Sequence, residues 1–157
     1  MADFNQAIEK TLVNEGGYVD DPSDAGGETK FGISKRSYPD VDIKNLTVDG
    51  AKAIYKKDYW DKLKADEIAS QKVAFELFDT AVNMGVKTAS KLMQGCSGAY
   101  VDGIIGSQSL ESINNIDEEL LLLRFKLAKI SRYAYLAKKR PANRKYLLGW
   151  INRALNG

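Results

Sequence analysis

Glu15, Asp24 and Thr29 stand inside NEGGYVDDPSDAGGETKFGIS, residues 14–34, a stretch holding five glycines and five acidic residues in 21 positions. Carboxylates and a hydroxyl at such short spacing suit general acid–base chemistry. The rest of the composition narrows the choice. The chain contains no histidine, which excludes a Ser-His-Asp triad, a Cys-His dyad and histidine-based zinc sites. The single Cys96 rules out an internal disulfide and, with no histidine to activate it, is expected to be a semi-buried free thiol rather than a nucleophile. An enzyme built from these residues without a cofactor would rely on carboxylates.

Asp3 can N-cap a predicted helix that runs to about Asn14 and stops at Gly16-Gly17, which puts Glu15 at its end. At 100° per residue, Phe4, Ile8 and Leu12 point to about 0°, 40° and 80°, and Glu15 to about 20°, within the apolar stripe. Desolvation and the negative end of the helix dipole then both favour the protonated acid. A carboxyl kept neutral near pH 7 is what a general acid for glycoside cleavage requires. If the helix end frays, Glu15 turns to water as an ordinary surface charge.

The loop that follows allows several readings. Asp20, Asp21, Asp24 and Glu28 suggest calcium, but counting from Asp20 places Ala25 and Phe31 where an EF-hand needs Gly and Glu. No Gly-Lys-Ser/Thr follows the glycines, so a phosphate loop does not fit either. The glycines more plausibly turn the backbone sharply and allow it close to a ligand. Asp24 is then a candidate second carboxylate, to stabilise an oxocarbenium-like transition state or activate water, and Thr29 a candidate to hold that water. Asp and Thr are also common turn residues.

These residues need a scaffold, and 157 residues suffice for one domain with a real core. At 44% hydrophobic and 28% charged, with three prolines, the chain reads as globular. No apolar run reaches the ~18–20 residues of a membrane span, and the N-terminus lacks the pattern of an ordinary secretory signal. The pattern predicts a mainly α protein. Thr47 can cap a helix over 48–63. SQKVAFELFDTAVNMG is apolar around most of its circumference and reads as a central buried helix. VKTASKLMQGC is another, and Ser107 can cap 108–114. Asp117 starts a long helix to about Lys139, with Leu120, Leu123, Leu127 and Ile130 as its core stripe. Pro141 punctuates it, and Asn143 begins the last helix. Lys30 to Ile33 is a possible piece of hairpin. Net charge is +2 but segregated: residues 120–157 hold ten Lys or Arg and no acid, leaving 13 basic against 21 acidic residues, a net of −8, in 1–119. The basic tail is a solvated helix face or attracts an anionic polymer.

The block EGGYVDDPSDAGGETKFGIS closely resembles the signature of glycoside hydrolase family 108, the phage and prophage N-acetylmuramidases. Glu15, Gly16, Gly17, Tyr18, Pro22, Asp24, Gly26, Gly27, Thr29, Gly32 and Ile33 fall on that pattern. AFELFDTAVNMG, VDGIIGSQSLESI and NRKYLLGWINR look like the family's C-terminal part, a predicted peptidoglycan-binding region. Ser107 and Ser109 stand where that part usually has Pro and Thr, which weakens any wall-binding role for VDGIIGSQS and leaves it as a helix-entry turn.

The resemblance implies a single lysozyme-like domain over 1–157, two helical lobes around a cleft with at most a short hairpin, 1–70 being catalytic and 71–157 resembling the peptidoglycan-binding region. It implies Glu15 as catalytic acid, with Asp24 and Thr29 assisting, and neither cofactor nor metal. The substrate would be peptidoglycan glycan strands, cut at the β-1,4 bond between N-acetylmuramic acid and N-acetylglucosamine. No nucleic acid or membrane span is expected, and the protein would be a monomer made in the cytoplasm. A holin, a virion or a secretion apparatus would bring it to the wall. Tyr18 and Tyr59 are candidate sugar platforms or core residues. Glu76, Asp79, Thr80 and Asn83 form a polar stripe at helical spacing, facing a cleft or solvent, from which Asp79 and Asn83 could contact sugar. Trp60 and Trp150 read as mostly core. The alternative is a non-catalytic wall-binding or secretion-associated protein.

Overall fold

The computed structural model describes residues 1–15, 17–21 and 26–156, with Asn14 and Glu15 described by backbone alone. The order is α1 (Phe4–Glu15), a hairpin of β1 (Thr29–Lys30) and β2 (Ile33–Ser34), α2 (Val48–Tyr55), α3 (Gln71–Met84), α4 (Val86–Ser97), α5 (Ser107–Asn115), α6 (Glu118–Lys139) and α7 (Leu147–Asn156). The protein is mainly helical, as expected, with a lysozyme-like build and one antiparallel pair among the described strands, Thr29 opposite Ser34 and Lys30 opposite Ile33.

Local chemistry sets most helix starts. The Asp3 carboxylate accepts from Asn5 N–H (2.9 Å), Thr47 from Gly50 N–H, Ser70 from Val73 N–H and Asp117 from Leu120 N–H, each satisfying one donor the helix leaves open. Ser107 is not a cap. It is the first residue of α5, and the cap position is Gly106. The helix expected over 48–63 changes character at Lys56: a π turn covers Lys56–Trp60 and a short 3-10 turn follows at Ala65–Glu67. Past Pro141 the chain makes a 3-10 turn to Tyr146 before α7, because proline opens the segment without an N–H to extend α6.

The core starts at the first turn of α1. Phe4 meets Trp60 edge-on at 5.5 Å and Phe78 at 6.1 Å, and Trp60 meets Phe78 at 5.6 Å. Trp60 is fully buried, its indole N–H donating to Asp66 at 2.6 Å. Gln71, at the start of α3, clamps Asp3 by accepting from its N–H and donating to its carbonyl. The direction of α1, and hence the position of its last residue Glu15, is set by these contacts. The same core continues into the second half through Ala89 and Met93 of α4 and Leu121 and Phe125 of α6.

Two expectations about facing are corrected. In α6 the buried stripe is Leu121, Phe125, Lys129, Tyr133 and Ala137, whereas Leu120, Leu123 and Leu127 are 43%, 62% and 67% exposed and Ile130 is half-buried. The polar stripe of α3 faces neither cleft nor solvent as a whole. Glu76 and Thr80 are buried, and Lys129 of α6 donates to Glu76 Oε2 at 2.7 Å. A lysine admitted to the core stripe is thus matched by a carboxylate admitted on the helix opposite. Trp150 is half-buried, stacked between Tyr133 at 5.3 Å and Tyr146 at 5.9 Å.

The turn VDGIIG is held from α4. Gln94 donates to Asp102 Oδ1 (2.8 Å), Ile104 O and Ser109 Oγ, and its carbonyl accepts from the N–H groups of Asp102 and Gly103. Gly103 has φ +86°, and a Cβ there would meet Lys87 Cγ at 2.9 Å. The motif is used as the structural entry to α5. Cys96 is a free thiol, as expected, but buried rather than semi-buried, its ionisation pushed up by burial and only partly countered by Arg124.

Candidate active site

Glu15 is the last residue of α1; its side chain, and the whole of Asp24, lie outside the described residues. What is described is how the chain on either side is shaped. Four residues beyond Glu15, Val19 forms an isolated antiparallel bridge with Thr29, N–H to O at 2.8 Å in both directions. The second half of the Gly-rich loop is therefore folded back onto its first half. Thr29 is pinned on one side by Val19 and on the other by Ser34.

The turn joining β1 to β2 is Phe31-Gly32, with φ of +53° and +76°, as a two-residue hairpin turn of matching twist requires. A phenylalanine in that conformation is strained by about 1–3 kcal/mol. The Tyr55 hydroxyl donates to Phe31 O at 2.8 Å from the core, and Phe31 itself packs against that core, which offsets the strain and fixes the hairpin to the scaffold.

The expected site residues fall into three places. Tyr18 and Thr29 are brought together by the Val19 bridge to the hairpin. Tyr18 is 41% exposed and donates to Glu28 at 3.0 Å; partial desolvation first, then that carboxylate, raise its phenol. The Thr29 hydroxyl donates to Gly27 O at 3.3 Å, which leaves its oxygen lone pairs as acceptors. Asp79 lines a groove of about 750 Å³ that flanks the last turns of α1, with Glu9, Lys10 and Val13 on one side, Phe75 beside Asp79 on α3, and Arg153 and Asn156 of α7 opposite. Arg153 Nη2 stands 3.3 Å from Asp79 Oδ1. Asn83 and Tyr59 do not line this groove. Asn83 donates to the Tyr133 hydroxyl at 2.6 Å, and burial raises that phenol. Tyr59 leans on Tyr55 at 5.7 Å and is half-buried against the core.

Sequence reading missed Arg153, Lys10 and Phe75. Arg153 lies 74 residues from Asp79, so no local pattern couples them; the one available signal was the basic last turn of an amphipathic final helix. Among the described residues, no group of three His, Cys, Asp or Glu side chains converges as a metal site would need, and no helix is long and apolar enough to cross a membrane.

Residues 8–85 match the model of Glycosyl hydrolase 108, and residues 88–155 match that of the Predicted Peptidoglycan domain. The fold is similar to that of Brucella abortus SagA, at 27% identity, over 98% of this chain and 94% of that one, with a TM-score of 0.73. No curated protein matches. Fold and matched regions together define a glycoside hydrolase with peptidoglycan as its substrate. The chain belongs to glycosyl hydrolase family 108, followed in its second half by a predicted peptidoglycan region.

Proposed function

We propose that the protein is an N-acetylmuramidase, hydrolysing the β-1,4 bond between N-acetylmuramic acid and N-acetylglucosamine, with Glu15 as general acid. The observation that carries this reading is the family signature read along the fold. Its first residue, Glu15, ends a helix anchored in the core, and its Thr29 is returned by the Val19 bridge to within four residues of that end. Glu15 protonates the glycosidic oxygen as the bond breaks. Asp24 stabilises the developing oxocarbenium ion or activates water, and Thr29 offers its oxygen to that water. The distance between the two carboxyls decides the outcome: about 5–5.5 Å gives retention through a covalent intermediate, about 6.5–9.5 Å gives inversion.

The glycan strand runs past Tyr18 and along the groove beside α1, where Asp79, paired with Arg153, meets sugar hydroxyls. Tyr59 and Asn83 act from outside that groove by bracing its surroundings. The chain works as a single domain over 1–157, and as a monomer. It is made in the bacterial cytoplasm and reaches the wall with a holin, a virion or a secretion apparatus, in the manner of a phage or prophage endolysin. Product analysis tests the bond assigned. Digested peptidoglycan, reduced with borohydride and analysed by mass spectrometry, should carry new muramitol ends. New glucosaminitol ends, or free peptide amines, would overturn the assignment.

A further inference from the structure

A second cavity, of about 300 Å³, lies between α1, α3 and α6. Three lysines line it, Lys10, Lys72 and Lys126, the last donating from Nζ to Leu155 O at 3.4 Å, and Phe75 and Leu122 give it an apolar surface. Glu76 also lines it, but that carboxylate is bound by the buried Lys129. Glu118, outside the lining, is 3.7 Å from Lys72 in an exposed pair, where ion pairing is weak. The cavity is therefore cationic around an apolar floor, at the small end of the roughly 300–1,000 Å³ range of ligand sites.

This chemistry is wrong for a sugar ring. Lys10 sits over the Phe75 ring, 4.8 Å from its centroid, on the face a pyranose would use. It suits a short peptide with several carboxylates and small apolar side chains, since lysines around an apolar floor attract carboxylates. Peptidoglycan carries such a peptide on its muramic acid. The cavity adjoins the larger groove along α1, the two sharing Lys10 and Phe75, so a branch from a strand in that groove lies next to it. Its walls come from both matched regions, α1 and α3 from the hydrolase part and α6 from the peptidoglycan part.

We propose that this cavity binds the carboxylate-bearing stem peptide of peptidoglycan. The placement of the glycan rests on the muramidase reading; the cavity's affinity for the peptide does not. The peptidoglycan region then acts as one wall of a peptide site shared with the hydrolase part.

The test is binding of a synthetic stem tetrapeptide with free carboxylates to the full chain by isothermal titration calorimetry, against the same peptide with its carboxylates amidated. Wild type should bind the free peptide and not the amidated one. Lys126→Glu should weaken binding on the order of tenfold or more, as loss of one charge-assisted contact does, and Lys126→Gln less. Lys139→Glu, at the far end of α6, should leave it unchanged. Should K126E not fold, Lys72→Glu carries the same expectation, Lys72 being 77% exposed. Absence of peptide binding, equal binding of the amidated peptide, or equal loss in K139E overturns the proposal. Failure of the muramidase reading is distinguishable: Glu15→Gln would then leave glycan hydrolysis intact, while peptide binding still followed Lys126.

Discussion

Replacing Lys129 by methionine should cost more stability than replacing Lys129 and Glu76 together. Both side chains are nearly sealed, 4% and 6% exposed, with Nζ 2.7 Å from Oε2. Removing the lysine alone strands a carboxylate in the core between α3 and α6, a cost of about 3–5 kcal/mol. Against a total stability of about 5–15 kcal/mol, that is a large share. At about 2–4 °C per kcal/mol for a domain of this size, the melting temperature should fall by about 6–20 °C. The double variant Glu76→Leu/Lys129→Met removes both desolvation penalties and should fall between neutral and about 4 kcal/mol more stable than wild type. Lys56–Asp61 is the control. It is shorter, at 2.6 Å, but its side chains are 45% and 50% exposed, so Lys56→Met should cost no more than about 1 kcal/mol. Burial, not distance, sets the order. Thermal and urea unfolding of wild type, Lys129→Met, Glu76→Leu and the double variant, read as a double-mutant cycle with Lys56→Met alongside, measures the coupling. A Lys129→Met cost as small as that of the exposed control would refute the reasoning.

Three further outcomes follow. Phe125→Ala, at a fully buried position, should cost about 3–5 kcal/mol, while Leu127→Ala, 67% exposed, should stay within about 0.5 kcal/mol; urea midpoints check the pair. The Gln94 amide beside Asp102, then the Ile104 N–H, holds the Asp102 carboxyl below its ordinary value. That contribution is full above the ordinary value of about 3.9 and is lost as pH falls through the lower folded value. The stability gap between wild type and Asp102→Asn should therefore be open at pH 6 and close toward pH 2, by urea unfolding across that range. The acid-free segment 120–157, with nine cations besides the buried Lys129, should make wall lysis slow as salt rises from about 50 to 300 mM, where screening shortens the reach of surface charge; turbidity decay across that series measures it.

The sequence made legible what local chemistry decides. Asp3, Thr47 and Asp117 announced helix starts because a cap acts within three residues of itself; Ser107 misled, being the first residue of its helix rather than the cap. The hairpin near Lys30 to Ile33 was legible only as a short piece, strand signals being scarce in this chain. The facing of α6 was misread for a physical reason. LLLLRFKLAKI is apolar on nearly every side, and the true stripe passes through Lys129, which looks polar until Glu76, 53 residues away, neutralises it. The α3 stripe failed in the same way, since two of its polar residues are buried against α6. At the candidate site, the order of Glu15, Asp24 and Thr29 was readable as a signature. The bridge that folds Thr29 back to Val19, and the ion pair that joins Asp79 to Arg153, are long-range pairings that no periodicity encodes.

The central claim is that Glu15 supplies the proton for glycosidic cleavage. Turbidity loss of purified peptidoglycan tests it with wild type and Glu15→Gln, both shown to be folded by their circular dichroism and melting curves. General acid catalysis contributes about 10²–10⁴-fold, so the glutamine variant should clear the suspension at least about a hundredfold more slowly while still binding the wall. Equal clearance by the two folded proteins, or no clearance by folded wild type, would contradict the account.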